Sequence, residues 1–276
     1  MKIIVLGKNG MLGKYIFKYL GKNFVVKGIT RQDLDVSDTD NLKNNFNKLY
    51  DLGVNDIVVN CVGTIKPRCD ELGEINAIKV NSIVPRILAE VSKEKGFKLL
   101  HPTTDCIYSG NTGAYKEISE MDVSDVYGVT KYLGETKNAT NLRVSIIGEE
   151  TVNKRSLVEW CKTLDGKEAK GFTDHLWNGV TCLTYAKIIE TMIEKNIWWT
   201  GTRHALSPRS LNKYELVKLI TDVYKIKVDL KEAESGKKCD RTLQTIHDEN
   251  KFFNIPDLQV QISDMQKFNK ELYSNE

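Results

Sequence analysis

Two short stretches carry side chains whose types and spacing suit chemistry. The first is "PTTDCIYSG", residues 102–110. It offers hydroxyls (Thr103, Thr104), a carboxylate (Asp105), a thiol (Cys106) and a phenol (Tyr108). The second is "VYGVTKYLGETK", which contains Tyr127 and Lys131. On a helix, residues four apart share a face, so this spacing sets a phenol beside an ammonium. Tyrosine ordinarily titrates near pH 10. To work as an acid and base near pH 7 it must fall by roughly 3 units, and a neighbouring cation supplies part of that. The expectation is that Lys131 lowers the Tyr127 pKa.

These residues need elements to position them. "KIIVL" is a β-branched apolar run that predicts a buried parallel strand. "GKNGMLGKYIFKYLGKN" follows, with Met11, Leu12, Tyr15, Ile16 and Tyr19 at helical spacing. "FVVKGI" then predicts a second strand, giving a βαβ unit. The turn is G-x-x-G-x-x-G, formed by Gly7, Gly10 and Gly13. Such a turn lets backbone N–H groups and a helix N-terminus face a pyrophosphate. Asn9, Met11 and Leu12 complete the candidate dinucleotide cradle. After the second strand, "KGITRQDLDVSD" places Arg31 where a 2′-phosphate would sit, which favours NADP(H). Asp33 keeps NAD(H) open. Asp35 and Val36 are expected to flank the adenine.

"NLKNNFNKLYDLG" predicts a helix, and "DIVVNCVG" a buried strand from Asp56 to Val62. "INAIKVNSIVPRILAEVSKEKG" predicts one long helix, and "FKLLHPTTDCIYSG" a strand with a polar loop. The order βαβαβαβ is that of an α/β, doubly wound Rossmann sheet. Ligands gather at the carboxyl ends of such strands, where Cys61, Val62 and Gly63 and the "TTDC" turn both lie.

In order and spacing, "GKNGMLG", "TTDCIYSG" and "YGVTK" resemble the extended short-chain dehydrogenases/reductases. Within that superfamily the chain most resembles the dTDP-4-dehydrorhamnose reductase group, closely over residues 1–145 and more loosely beyond. The resemblance implies a Rossmann domain with a smaller, interleaved C-terminal α/β substrate domain. It also implies NADPH-dependent reduction of the 4-keto group of a nucleotide-linked 6-deoxyhexose. The carrier would be UDP or dTDP, and the sugar rhamnose-type or a 2-acetamido analogue. By the same resemblance Thr104 hydrogen-bonds the substrate carbonyl and Tyr127 donates the proton. Lys131 holds the nicotinamide ribose, and Asp105 orients sugar hydroxyls. Cys106 departs from the aromatic residue of many simple reductases. It resembles instead the S-S-C-I-Y of GDP-L-fucose synthases, where cysteine epimerises beside a ketone. The same pocket is therefore expected either to reduce only or to epimerise at C3 or C5 as well. Two other readings stand: an NADP-binding regulatory subunit that docks on an enzyme, and an NAD-dependent sugar-nucleotide dehydratase or 4-epimerase.

The expected boundaries are 1–150 for the NADP-binding domain, with a segment near 180–205 returning to it, and 151–276 for the substrate domain. "VNKRSLVEWCKTL" predicts a helix, and Lys154 and Arg155 near its start are candidates for diphosphate or sugar. "GFTDHLWNGV" predicts a polar loop in which His175, Trp177 and Asn178 meet the substrate, or pack beneath the second domain. Arg241 is a further diphosphate candidate. His101 is assigned no chemistry. The 276 residues carry 40 basic and 37 acidic side chains, a balance that points away from nucleic acid and anionic membranes. There is no apolar run of membrane length and no signal-like start. The six cysteines form no CxxC pair, so no metal site is expected. A cytoplasmic enzyme, possible as a homodimer, is the resulting expectation.

Overall fold

The computed structural model describes residues 1–150 and 154–273. Among these, no helix is long and apolar enough to cross a membrane. By its own contacts the chain forms two compact units. The first comprises residues 1–108, 120–143 and 190–203. The second comprises 109–119, 144–189 and 204–276, so a short piece well before residue 150 packs with it.

The first unit is built on a parallel sheet. Strand β1 (Ile3–Leu6) is wholly buried. It pairs in parallel with β2 (Val26–Ile29) on one side and β3 (Ile57–Asn60) on the other. Next to β3 lies β4 (Lys98–Thr104), with Ile57 opposite Lys98. Then come β5 (Thr140–Val144) and the strand Gly201–His204, completing a six-stranded sheet. From β1 the chain goes first to β2 and then crosses to β3. The sheet therefore has its topological switch point between β1 and β3, where a crevice opens at the carboxyl ends. "DIVVNCVG" stops pairing at Asn60, earlier than expected, which frees Cys61 to Gly63 as a loop.

Helix α1 (Met11–Leu20) buries Leu12, Tyr15, Ile16 and Leu20. Helix α2 (Thr39–Leu49) buries Leu42 and Phe46, which join Ile29, Val36, Leu88 and Leu99 in the core on one face of the sheet. After α3 (Lys66–Leu72) the predicted single long helix proves to be interrupted. It runs as α4 (Glu74–Ile78), a π-turn at Lys79–Ile83, and α5 (Val84–Lys95). The physical reason is Pro85. Proline has no N–H to donate to the carbonyl four residues back, and its ring crowds that carbonyl. Here that carbonyl belongs to Asn81, and the Val84 N–H reaches back to Lys79 instead. The widened turn receives helix α6 (Val126–Gly134): a Cβ on Gly134 would lie 2.1 Å from the Asn81 carbonyl oxygen. Only glycine permits that approach.

The second unit carries a parallel strand pair, Lys167–Phe172 with Val228–Ala233. It also carries a three-stranded sheet in which His175–Trp177 lies between Leu211–Asn212 and Cys239–Asp240. The predicted polar loop at His175–Asn178 is thus largely strand. Its pairing partners are far away in sequence, so no local pattern reveals them. The helix expected over "VNKRSLVEWCKTL" is observed at Leu157–Lys162, capped by the Ser156 hydroxyl. Val152 and Asn153 lie outside the described residues. Helices Lys213–Tyr224 and Leu258–Tyr273 meet at Glu149, whose carboxylate accepts from Tyr224 and from Asn269 at 2.7 Å.

One buried ion pair joins several elements of the first unit. Arg143, on β5, and Glu135, just past α6, are 3% and 8% exposed. Arg143 Nη2 donates to Glu135 Oε2 at 2.6 Å and Nε to Oε1 at 3.0 Å. Removing one member would leave a buried, uncompensated charge, which costs far more than the pair contributes. Arg143→Met is therefore expected to lower the unfolding free energy by about 3–5 kcal/mol. The double variant Arg143→Met/Glu135→Leu is expected to recover most of that loss, read from urea unfolding midpoints. A loss in the double variant equal to the sum of the Arg143→Met and Glu135→Leu losses would show the two charges to be uncoupled.

Candidate active site

At the switch point the backbone forms a cradle. Gly7 has φ +77°, and the Gly10 N–H donates to its carbonyl at 3.0 Å. A Cβ on Gly13 would lie 2.2 Å from that same oxygen, so α1 reaches the loop only because residue 13 is glycine. The helix begins at Gly10 with no side-chain cap. The first N–H groups of α1, at Met11, Leu12 and Gly13, have no partner within the helix and point outward with the positive end of its dipole. The loop after β3 closes the other wall: Cys61 and Val62 stand 3.2 Å from a Cβ built on Gly7. Asn9 and Gly63 are exposed on either side. These features fit a dinucleotide pyrophosphate.

At the end of β2, Asp33 turns back on its own loop and accepts from Thr30 N at 2.8 Å and Thr30 Oγ1 at 2.7 Å. Arg31 remains 75% exposed and is braced by Asp35 at 3.1 Å. Asp35 also accepts from the Ser37 amide and hydroxyl. Val36 is buried in the core. Asp35 thus braces Arg31 and its own loop, while Val36 packs into the core.

Asp125 caps α6 by accepting from Gly128 N at 3.1 Å, which starts the helix so that Tyr127 and Lys131 share a face. Thr104 ends β4 and caps a short 3₁₀ turn, accepting from Cys106 N at 3.1 Å. Its hydroxyl donates to Asp105 Oδ1 at 3.3 Å and lies close enough to Tyr127 to act on its phenol. Thr104 and Asp105 are buried, whereas Cys106 and Tyr127 are partly exposed. Lys131 is buried and donates to the Pro102 carbonyl at 2.9 Å. Its ammonium also lies 3.9 Å from a Cβ built on Gly63, next to the cofactor-side loop.

The electrostatics reverse one expectation. The Tyr127 phenol is held well above its ordinary value, not below it. Burial is the main cause, the Cys106 thiol and the Asp105 carboxylate add to it, and the Thr104 hydrogen bond opposes it. Lys131 does not outweigh these. Burial brings its own pKa down to about 8, against the pull of Glu135 and Cys61. Burial also pushes the Cys61 thiol up to about 12. The resting pair at neutral pH is a protonated phenol and a protonated, weakened ammonium. That suits giving a proton rather than taking one.

The remaining proposed substrate residues, Lys154, Arg155, His175, Trp177, Asn178 and Arg241, belong to the second unit. Lys154 and Arg155 are exposed, and Lys154 has φ +50°. His175 Nε2 is shared with Ser235 Oγ at 2.9 Å and Lys237 O at 3.2 Å. Trp177 is buried. The Asn178 amide is committed on both sides to Leu243, donating at 2.8 Å and accepting at 2.9 Å. Trp177 and Asn178 are therefore core and bracing groups in this unit. Arg241 packs its stem near Gly110, with Cγ 3.1 Å from a Cβ built there.

Other groups matter that local patterns did not reveal. Asn81, on the π-turn, accepts from Thr64 N at 2.8 Å and donates to Thr130 Oγ1 at 3.1 Å, tying the loop after β3 to α6. Pro85 was the available signal for that turn. His101 is buried on β4 with Nδ1 3.3 Å from Asn60 Nδ2. An amide donor there makes Nδ1 the acceptor and leaves the hydrogen on Nε2. Burial and Lys131 hold the ring well below its usual pKa, hence neutral. Asn60 Oδ1 in turn accepts from Val62 N at 3.2 Å, fixing the cofactor-side loop.

Comparison with known proteins fits this geometry. A dTDP-4-keto-6-deoxy-D-glucose reductase of Streptomyces niveus is 33% identical over 134 residues, 48% of this chain and 45% of that protein. The chain thus spans about half the length of that relative. A probable low-salt glycan biosynthesis reductase of Haloferax volcanii is 25% identical over 81% of this chain and 80% of its own length. Two crystal structures show the same fold. One is a dTDP-4-dehydrorhamnose reductase of Clostridium acetobutylicum, with TM-score 0.79 at 23% identity, covering 98% of this chain and 100% of that one. The other is a dTDP-4-dehydrorhamnose reductase of Bacillus anthracis in complex with NADP, with TM-score 0.81 at 19% identity, covering 96% and 98%. The sequence profile described as the RmlD substrate binding domain matches residues 1–245. With that match running through both units, the chain belongs to the RmlD substrate binding domain family, as a dTDP-4-dehydrorhamnose reductase-like extended short-chain dehydrogenase/reductase.

Proposed function

We propose that this protein reduces the C4 ketone of a nucleotide-linked 4-keto-6-deoxyhexose with NADPH. The observation that carries the reading is the placement of the Thr104 hydroxyl beside the Tyr127 phenol, with Lys131 on the same helix face beside the cofactor-side loop. NADPH is favoured over NADH by the exposed Arg31 guanidinium and by Asp33 being occupied with Thr30. The Bacillus anthracis relative, solved with NADP, supports the same choice. The Streptomyces niveus relative is named for a dTDP sugar, so dTDP leads over UDP as carrier. The sugar is rhamnose-type or a 2-acetamido analogue.

When bound, NADPH supplies the hydride that attacks the carbonyl carbon. The π electrons of the carbonyl move to oxygen as it does so. Thr104 and Tyr127 hold that oxygen, and the Tyr127 O–H bond breaks to give it the proton, leaving an alcohol. Lys131 places the nicotinamide ribose and stabilises the phenolate that remains.

A second activity is favoured by Cys106, which is partly exposed and near enough to Tyr127 to influence its charge. As thiolate it would break the C–H bond at C3 or C5, forming S–H and an enolate whose oxygen lies on Thr104 and Tyr127. Return of a proton from the other face inverts the centre.

Tyr127→Phe is expected to lower kcat by about 10²- to 10⁴-fold, measured as NADPH oxidation with a dTDP-4-keto-6-deoxy sugar. An unchanged rate would end this mechanism. The pH dependence has a definite sign. Lys131 is charged below about pH 8 and neutral above it. kcat/KM for NADPH, which reports groups of the free enzyme, is therefore expected to fall as pH rises through about 8. A profile that stays level through that limb would remove Lys131 from cofactor binding. For the epimerase step, Cys106→Ser should abolish deuterium uptake from D₂O at C3 or C5 while a pre-epimerised substrate is still reduced. Deuterium uptake that survives the substitution would exclude the thiol.

A further inference from the structure

The catalytic turn is attached to the buried ion pair by two hydroxyls, one at each end. Thr103 Oγ1 donates to Glu135 Oε1 at 2.6 Å and accepts from Thr104 N at 2.7 Å. The direction is fixed by chemistry, because a carboxylate accepts only and a hydroxyl has a single hydrogen. With its hydrogen on Glu135, the oxygen is a stronger acceptor for the Thr104 amide. Glu135 in turn is held by Arg143 and by Thr202 Oγ1 at 3.1 Å. Arg143 Nη1 donates to Tyr108 Oη at 2.6 Å at the far end of the turn. Both ends of Thr104–Ile107 are therefore anchored on one carboxylate–guanidinium pair.

From this geometry we infer that Thr103 is a positioning residue for ketone reduction, transmitting the fixed position of Glu135 to the Thr104 hydroxyl. The inference rests on the reading that Thr104 and Tyr127 hold the substrate carbonyl. Strand formation does not explain the hydroxyl at position 103. Valine has nearly the same shape and strand preference and no polar atom to desolvate. The side chain is buried, so its two hydrogen bonds are what its polarity is spent on. An error of about 1 Å in a catalytic group can cost roughly a hundredfold in rate.

The test uses the full chain as wild type, Thr103→Val and Thr103→Ser. Thr103→Val is expected to lower kcat roughly ten- to hundredfold while the NADPH Kd and the sugar KM change less than about twofold. Thr103→Ser, which restores the hydroxyl, is expected to stay within about threefold of wild type. Hydrogen exchange of the 103–108 segment should accelerate in Thr103→Val and not in Thr103→Ser. Equal kcat in the two variants, or a parallel fall in both, would overturn the proposal, as would unchanged exchange in Thr103→Val. If Thr103→Val does not fold, Thr103→Ala supplies the same comparison. Wild type inert toward every 4-keto sugar nucleotide would refute the activity itself, and the exchange measurement would still decide whether Thr103 orders the turn.

Discussion

The charge pair between Glu135 and Arg143 is the point to which the reactive edge of the sheet is referred. Its burial makes it costly unless every remaining hydrogen-bonding position is filled. Thr103, Thr202 and Tyr108 fill them, and these residues come from β4, the last strand of the sheet and the catalytic turn. Helix α6 ends at Glu135, so the element bearing Tyr127 and Lys131 is tied to the same place. Asn81 and Ser82 on the π-turn grip the middle of α6 through Thr130. The helix is held between two polar clamps rather than by apolar packing alone.

The low dielectric that makes this pair costly also decides what the site can do. Burial favours the uncharged form of each group. It raises the phenol and lowers the ammonium, so two groups of nearly equal proton affinity in water move apart, and the phenolate becomes the stronger base. Cys106 and Asp105 bias the phenol toward its protonated form. The resting state is thus poised to deliver a proton to an oxygen that is becoming negative.

The parts of the site legible in the sequence are those where function fixes residue type over a short span. Gly7, Gly10 and Gly13 show because backbone must come close to backbone, and Tyr127 and Lys131 because a helix turn sets their spacing. Thr104 showed through its neighbours in the turn. Glu135 and Arg143 did not, since each is an ordinary surface type whose meaning comes from partners on other elements, and Thr103 showed as a hydroxyl but without its partner Glu135. The strand at His175–Trp177 was hidden for the same reason. The sign of the Tyr127 shift was missed because a single neighbour, Lys131, was weighed and burial was not. Pro85 shows that a local signal can be present and still be overridden by strong helical periodicity on either side.

The interleaving of the two units has a temporal side. Strand β5 is synthesised well before its neighbour Gly201–His204, with residues 144–189 of the other unit in between. Until that neighbour is made, β5 is an open edge, and Glu135 awaits Thr202. Thr140 and Asn141 likewise await the backbone of Trp199 and Gly201. A nascent chain on the ribosome therefore carries an unfinished sheet, with its buried charges partly exposed, while it elongates through the middle segment of a second body. The catalytic edge is the last part of the first unit to be sealed, although its own residues are among the earlier ones made.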